Sequence, residues 1–234
     1  MSFIPALLAA IVVSALSAMV SGSMGPDLAW LHYVSKPLTT VLIMVLAWRG
    51  DASSAIYRRL MLVALAFALG GDVALMLPME QLPNGFVLGL ASFLGGHLFF
   101  IGALTRGVGL LPRRLPFVIL MGLAAGNLMV LWPGLPAGLG APVLAYMLCL
   151  VTMAAQAVSR ALVVRTHAAW HAALGGLAFL LSDTLLAYDR FHAPLPAASW
   201  LVLGSYYAAI ALLASSTWRL PAKVMNMKLM HRSA

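Results

Sequence analysis

Charge is scarce in this 234-residue chain: Lys, Arg, Asp and Glu make up 9% of it, against about a quarter in a soluble domain. So few charges cannot build a water-facing surface. Cysteine is almost missing as well. The single Cys149 lies inside an apolar run, which excludes a disulfide framework and a cysteine metal site. Long polar stretches are also lacking between the apolar segments, so no extramembrane domain is expected. What remains is hydrophobic, at 63% of all residues. The formal charge of +8 would suggest nucleic acid only on a soluble basic face. Here the cations fall between apolar runs, and no nucleic-acid partner is expected.

A bilayer core about 30 Å thick takes roughly 20 apolar residues per helix at a rise of about 1.5 Å. Eight such runs are present, at 3–20, 28–48, 59–78, 85–105, 115–132, 140–159, 169–188 and 197–218. The expected fold is therefore all-α, a polytopic membrane bundle, with residues 1–220 as one transmembrane domain and 221–234 as a short basic cytoplasmic tail. The opening Met1-Ser2-Phe3 has no charged n-region, so the first run reads as a span rather than a secretory signal. With the N-terminus inside, twelve of the 14 Lys and Arg fall on the inner side: Arg49, Arg58, Arg59, Arg106, Arg113, Arg114, Arg160, Arg165, Arg219, Lys223, Lys228 and Arg232. Only Arg190 falls outside, which is the asymmetry of cytoplasmic loops. Both termini are thus expected in the cytoplasm. The six Trp residues fall near proposed helix ends, where indole rings favour the interface. A composition rich in Ala, with Arg favoured over Lys, points to a bacterial inner membrane.

Polar groups left inside this frame are the informative ones, since an ionisable side chain at mid-helix costs about 2.5–3.5 kcal/mol even on the lenient insertion scale. Asp72 and Asp183 each lie 13 residues beyond an inner-side marker, Arg59 and Trp170, or roughly 20 Å along a helix. Lys36 lies roughly 12 Å from the outer boundary on a helix running the other way, and His97 roughly 16 Å below Phe86. All four share nearly one depth, which predicts a polar pocket. Asn127, Tyr206 and Tyr207 are expected to add hydrogen-bonding groups, and His32, one turn before Lys36, to extend that face outward toward a phosphate. An internal echo pairs Leu65–Asp72 with Leu177–Asp183, each followed by Val-Leu-Gly at 87–89 and 202–204. A parallel four-plus-four repeat would place the two acids in related positions.

Together, Lys36-Pro37-Leu38-Thr39-Thr40, Gly71-Asp72-Val73-Ala74-Leu75-Met76, Gly89-Leu90-Ala91-Ser92-Phe93 through His97, and Ser182-Asp183-Thr184-Leu185-Leu186-Ala187 with Arg190-Phe191 resemble the YhhN family. These multi-pass membrane proteins include the lysoplasmalogenases. The resemblance spans most of the chain. It implies hydrolysis of the vinyl ether of a single-chain ether phospholipid to a fatty aldehyde and a glycerophospho-alcohol, with Asp72 and Asp183 in the active site. Asp189 departs from the neutral residue expected there and bears on the mouth of the pocket.

The chemistry accounts independently for two carboxyls. Protonation of the vinyl ether β-carbon leaves an oxocarbenium ion, so one acid must carry a proton while an anion faces the developing cation, as glycosidases manage with paired carboxyls. A carboxyl without a cation in a low-dielectric pocket keeps its proton, and one beside Lys36 stays ionised. Spacing does not say which Asp is which. No cofactor or metal is expected. His167 and His171 have a zinc-compatible i, i+4 spacing, but His171 stands roughly 18 Å along the axis from Asp183, so both read as interfacial histidines. The alternative to a hydrolase is a proton-coupled transporter or lipid-binding protein using the same Lys/Asp cluster, since intramembrane acids serve both.

Overall fold

The computed structural model describes residues 3–218 apart from 52, 53, 79, 80 and 83. The tail 221–234 and the loop position Pro83 lie outside the described residues. Among the described residues there are eight α-helices: α1 Phe3–Ser23, α2 Ala29–Trp48, α3 Ala55–Met76, α4 Gly85–Leu104, α5 Leu115–Leu131, α6 Gly140–Val164, α7 His167–Phe191 and α8 Ala198–Ser215. All eight are long and apolar enough to span a membrane, counting α5 with the 3₁₀ turn that continues it to Gly134. The chain is an integral, polytopic helical membrane protein. An even number of alternating helices returns the chain to the face where it began.

Helix starts differ from expectation where capping or amphipathic side chains decide them. Ser54 caps α3 by accepting from Tyr57 N at 3.3 Å, so the helix starts at Ala55 rather than at Arg59, and Arg58 lies inside its first turns rather than before it. Arg58 Nη1 donates to Gly50 O at 2.7 Å. Thr166 caps α7 in the same way through Ala169 N. α6 continues past Ser159 to Val164 and stops at Arg165, whose φ is 56°.

The helices close into a ring in the order α1, α2, α3, α4, α6, α7, α8, with α5 outside it against α6. The neighbour pattern follows the four-plus-four echo only in part: α2 packs on α3 and α8 as its counterpart α6 packs on α7 and α4, but α1 packs on α8 whereas α5 makes no comparable contact with α4. Close approach of α3 to α4 depends on glycine. A Cβ at Gly71 would stand 2.5 Å from the Phe93 ring, and one at Gly89 would stand 2.8 Å from Leu75. Small residues let backbones approach in this way where lipid tails supply no hydrophobic drive to associate. The loop before α5 is tied to α6, because Gln156 donates to Leu104 O and Gly109 O and Ser159 holds Arg113 through its backbone N and O. α5 is therefore anchored through α6 and scarcely meets α7.

Candidate active site

The ring encloses a cavity of about 610 Å³ that runs from mid-helix to the face carrying few arginines, where Gly25, Ala29, Asp189 and Arg190 line it. Both intramembrane acids are on its wall.

Asp72, on α3, is 2% exposed. Its Oδ2 accepts from Thr40 Oγ1 of α2 at 2.8 Å and from the Tyr206 hydroxyl of α8 at 2.7 Å, while Lys36 Nζ lies 3.9 Å from Oδ1. Lys36 and Thr40 can serve one carboxyl because residues four apart share a helix face. Two donors and a cation all suit an anion.

Asp183, on α7, has different company. The Tyr146 hydroxyl of α6 donates to its Oδ2, and Oδ1 makes no hydrogen bond among the described residues. Behind Tyr146 lies His97 of α4, with Nε2 at 3.0 Å from the phenol oxygen. Because the phenol gives its proton to Asp183, His97 supplies Nε2–H to that bond. The bare nitrogen is then Nδ1, which is buried without a partner among the described residues. One helical turn deeper than Asp183, Phe179 packs edge to face with Phe93, Tyr206 and His97, at ring separations of 6.1, 5.6 and 4.7 Å. These rings close the floor of the cavity.

Five of the eight residues expected at the pocket line it: Lys36, Asp72, Asp183, Tyr206 and His32. His32 Nδ1 is taken up by Ala18 O at 3.0 Å, which leaves Nε2 for a ligand. The other three do not line it. His97 sits one hydrogen bond behind the wall. Tyr207 packs on Tyr206 at 5.4 Å and faces away, since successive residues of a helix point about 100° apart. Asn127, on the outlying α5, accepts from the Tyr188 hydroxyl at 3.0 Å and lines a second, smaller cavity. Sequence reasoning passed over Tyr146 and Thr40. Tyr146 is a lone phenol in an apolar run and carries no signal by itself, whereas the four-residue step from Lys36 marks Thr40. Asp189 Oδ1 accepts from Leu195 N at 2.8 Å, so the departure noted at this position fastens the α7–α8 loop. His167 and His171 lie at the opposite end of α7, where His171 Nδ1 meets Ser215 Oγ at 3.1 Å. Among the described residues no three His, Cys, Asp or Glu side chains gather into a metal-ligand set.

A ring of apolar, membrane-length helices around a buried pair of carboxyls, only one of them facing a cation among the described residues, defines a polytopic membrane protein with a polar cavity in its core. The sequence pattern of the YhhN family matches residues 31–217, and the chain belongs to that family. It is 32% identical to the human protein named lysoplasmalogenase TMEM86B over 196 residues, 83% of this chain and 79% of the relative. It is 34% identical over 161 residues to a lysoplasmalogenase of Mycobacterium tuberculosis, 67% of this chain and 59% of the relative. Bovine lysoplasmalogenase TMEM86A matches at 32% over 160 residues, 66% of this chain and 63% of the relative. No solved structure matches the chain.

Proposed function

We propose that the chain is a membrane-embedded lysoplasmalogenase that hydrolyses the vinyl ether of lysoplasmalogen, with Asp183 as the acid and Asp72 as the stabilising anion. The observation that carries this division of roles is the unequal setting of the two carboxyls on one cavity wall. Lys36, Thr40 and Tyr206 surround Asp72 with positive charge and donors, whereas among the described residues Asp183 has a single phenol and no cation.

Tyr146 occupies Oδ2 of Asp183, so Oδ1 is the oxygen that carries the acid proton. Transfer of that proton to the β-carbon of the vinyl ether moves the double-bond electrons to the new C–H bond and leaves an oxocarbenium ion at the α-carbon. The Asp72 carboxylate faces this cation from across the cavity in surroundings of low dielectric, where fixed charges act strongly. Water adds to the α-carbon, and Asp183, now an anion, takes up the proton that water releases. The hemiacetal then collapses to fatty aldehyde and glycerophospho-alcohol, so one water is consumed and the acid is regenerated. At the mouth, the Arg190 guanidinium lies 4.4 Å from the Phe86 ring centre and suits the phosphate of the headgroup, whereas His32, whose Nδ1–H donates to Ala18 O, offers Nε2 as an acceptor to a headgroup N–H or O–H.

The test is an aldehyde assay on the purified protein in detergent, with lysoplasmalogen beside its ester-linked counterpart. Aldehyde is expected from the vinyl ether alone. A transporter or lipid carrier with the same Lys/Asp cluster would release none, and absence of aldehyde from a folded, lipid-binding preparation would defeat the hydrolase reading.

A further inference from the structure

We propose that the second, narrower cavity between α5, α6 and α7 receives the hydrocarbon chain of the lipid and opens sideways to the bilayer, so that the fatty product leaves along α5. The proposal rests on the lysoplasmalogenase reading above.

Three observations converge on it. The scissile bond joins a long apolar chain to a polar glycerophosphate, so the chain must continue from the carboxyls in some direction. It cannot continue downward, because fully buried Phe179 and His97 fill the bundle one turn below Asp183. The first cavity reaches Asp189 and Arg190 at its polar mouth, which suits the headgroup. The remaining way is lateral, and there the structure has a cavity of about 120 Å³ that shares Asp183 and Tyr146 with the first one. A cleaved bond held at that shared wall has the headgroup on one side and the chain on the other.

The lining fits a chain. Away from the interface it is Leu123, Leu128, Met147, Leu150 and Leu180, and its only amide is Asn127, which bonds Tyr188 toward the shallow end. The volume is far too small for a whole fatty chain, so the slot would guide its first part and the remainder would lie among lipids. The outer wall is already lipid-facing: Leu123 on α5 is 60% exposed. Lipid tails are as apolar as leucine, so a chain crossing this seam exposes nothing new to water. The seam is also loosely packed, because α5 is anchored to α6 and scarcely meets α7.

The experiment compares long-chain and short-chain vinyl ethers on Ala124→Trp, which fills the slot from α5, and on Gly122→Trp, which projects from a position with open space around it. Ala124→Trp should lower kcat/KM on the long chain by at least about tenfold, as pocket filling does in chain-length discrimination, while leaving the short chain within twofold. Gly122→Trp should leave both unchanged. In parallel, a lysolipid carrying a photoreactive group along its chain should label peptides of residues 115–131 in the unsubstituted protein. Equal effects of Ala124→Trp on both chain lengths, or labelling confined to α1, α2 and α8, would overturn the slot. An unsubstituted protein that cleaves neither ether yet labels at 115–131 would instead overturn the hydrolase reading and leave the slot standing.

Discussion

Asp72→Asn should destabilise the protein far more than Asp183→Asn, although both substitutions stop catalysis. Lys36 and Asp72 are both buried, with side-chain exposures of 11% and 2% at a separation of 3.9 Å. At that distance and an effective dielectric of about 20, their attraction is about 4 kcal/mol. Asp72→Asn leaves Lys36 as a buried cation without its counter-charge, and stranding one member of a buried pair costs about 3–5 kcal/mol. The Asn oxygen can still accept from Thr40 and Tyr206, so lost hydrogen bonding adds little to that cost. Asp183 has no cation to strand. Asp183→Asn alters one hydrogen bond from Tyr146, worth about 1–2 kcal/mol. The assay is a double-mutant cycle on equilibrium unfolding in detergent, comparing Asp72→Asn, Lys36→Met, the two together, and Asp183→Asn. The double variant should be more stable than Asp72→Asn alone, because Met removes the stranded charge. Additivity within about 0.5 kcal/mol across the cycle would mean that the ion pair contributes nothing, and the assignment of Asp72 as the anion would lose its basis.

Two further outcomes are expected. Turnover should follow a bell-shaped pH profile: rising pH removes the proton that Asp183 must deliver, and falling pH neutralises the anion that Asp72 must present. Asp183→Asn should therefore flatten the alkaline limb of whatever activity survives and Asp72→Asn the acidic limb, each with a loss of at least about a hundredfold; a folded variant that cleaves at the unsubstituted rate removes that residue from the mechanism. Cysteines placed in the loops near Pro83, Pro136 and Pro194 should react with an impermeant thiol reagent in intact cells, since the arginine asymmetry puts these loops outside; protection of all three with labelling near Arg113 would invert the topology.

Eight spans were legible because eight uninterrupted apolar stretches admit no other reading, and the pairing of Asp72 with Asp183 was legible because residue counts along a helix measure depth. Depth is only one coordinate. It says nothing of the direction in which a side chain points around its helix, and this is where expectation and structure part. Tyr206 and Tyr207 have the same depth but only one can face the cavity. Asn127 has the right depth on a helix that stands outside the ring. His97 reaches the site only through Tyr146, and Tyr146 itself could not be told from any other phenol until the angle of α6 against α7 was known.

The glycine notches between α3 and α4 make the height of Asp72 in the bilayer a stepped quantity. Phe93 sits against Gly71 and Leu75 against Gly89, so α3 is indexed to α4 like a key in its wards. It has no adjacent resting position closer than a helical turn, about 5.4 Å away. A shift of that size would carry the carboxyl clear of both Thr40 and Tyr206. Under the proposed mechanism the entering lipid is therefore measured against a fixed gauge: the distance from a phosphate at the mouth to the carboxyl below is built into the packing, and a substrate whose reactive bond lies one turn too high or too low meets no anion.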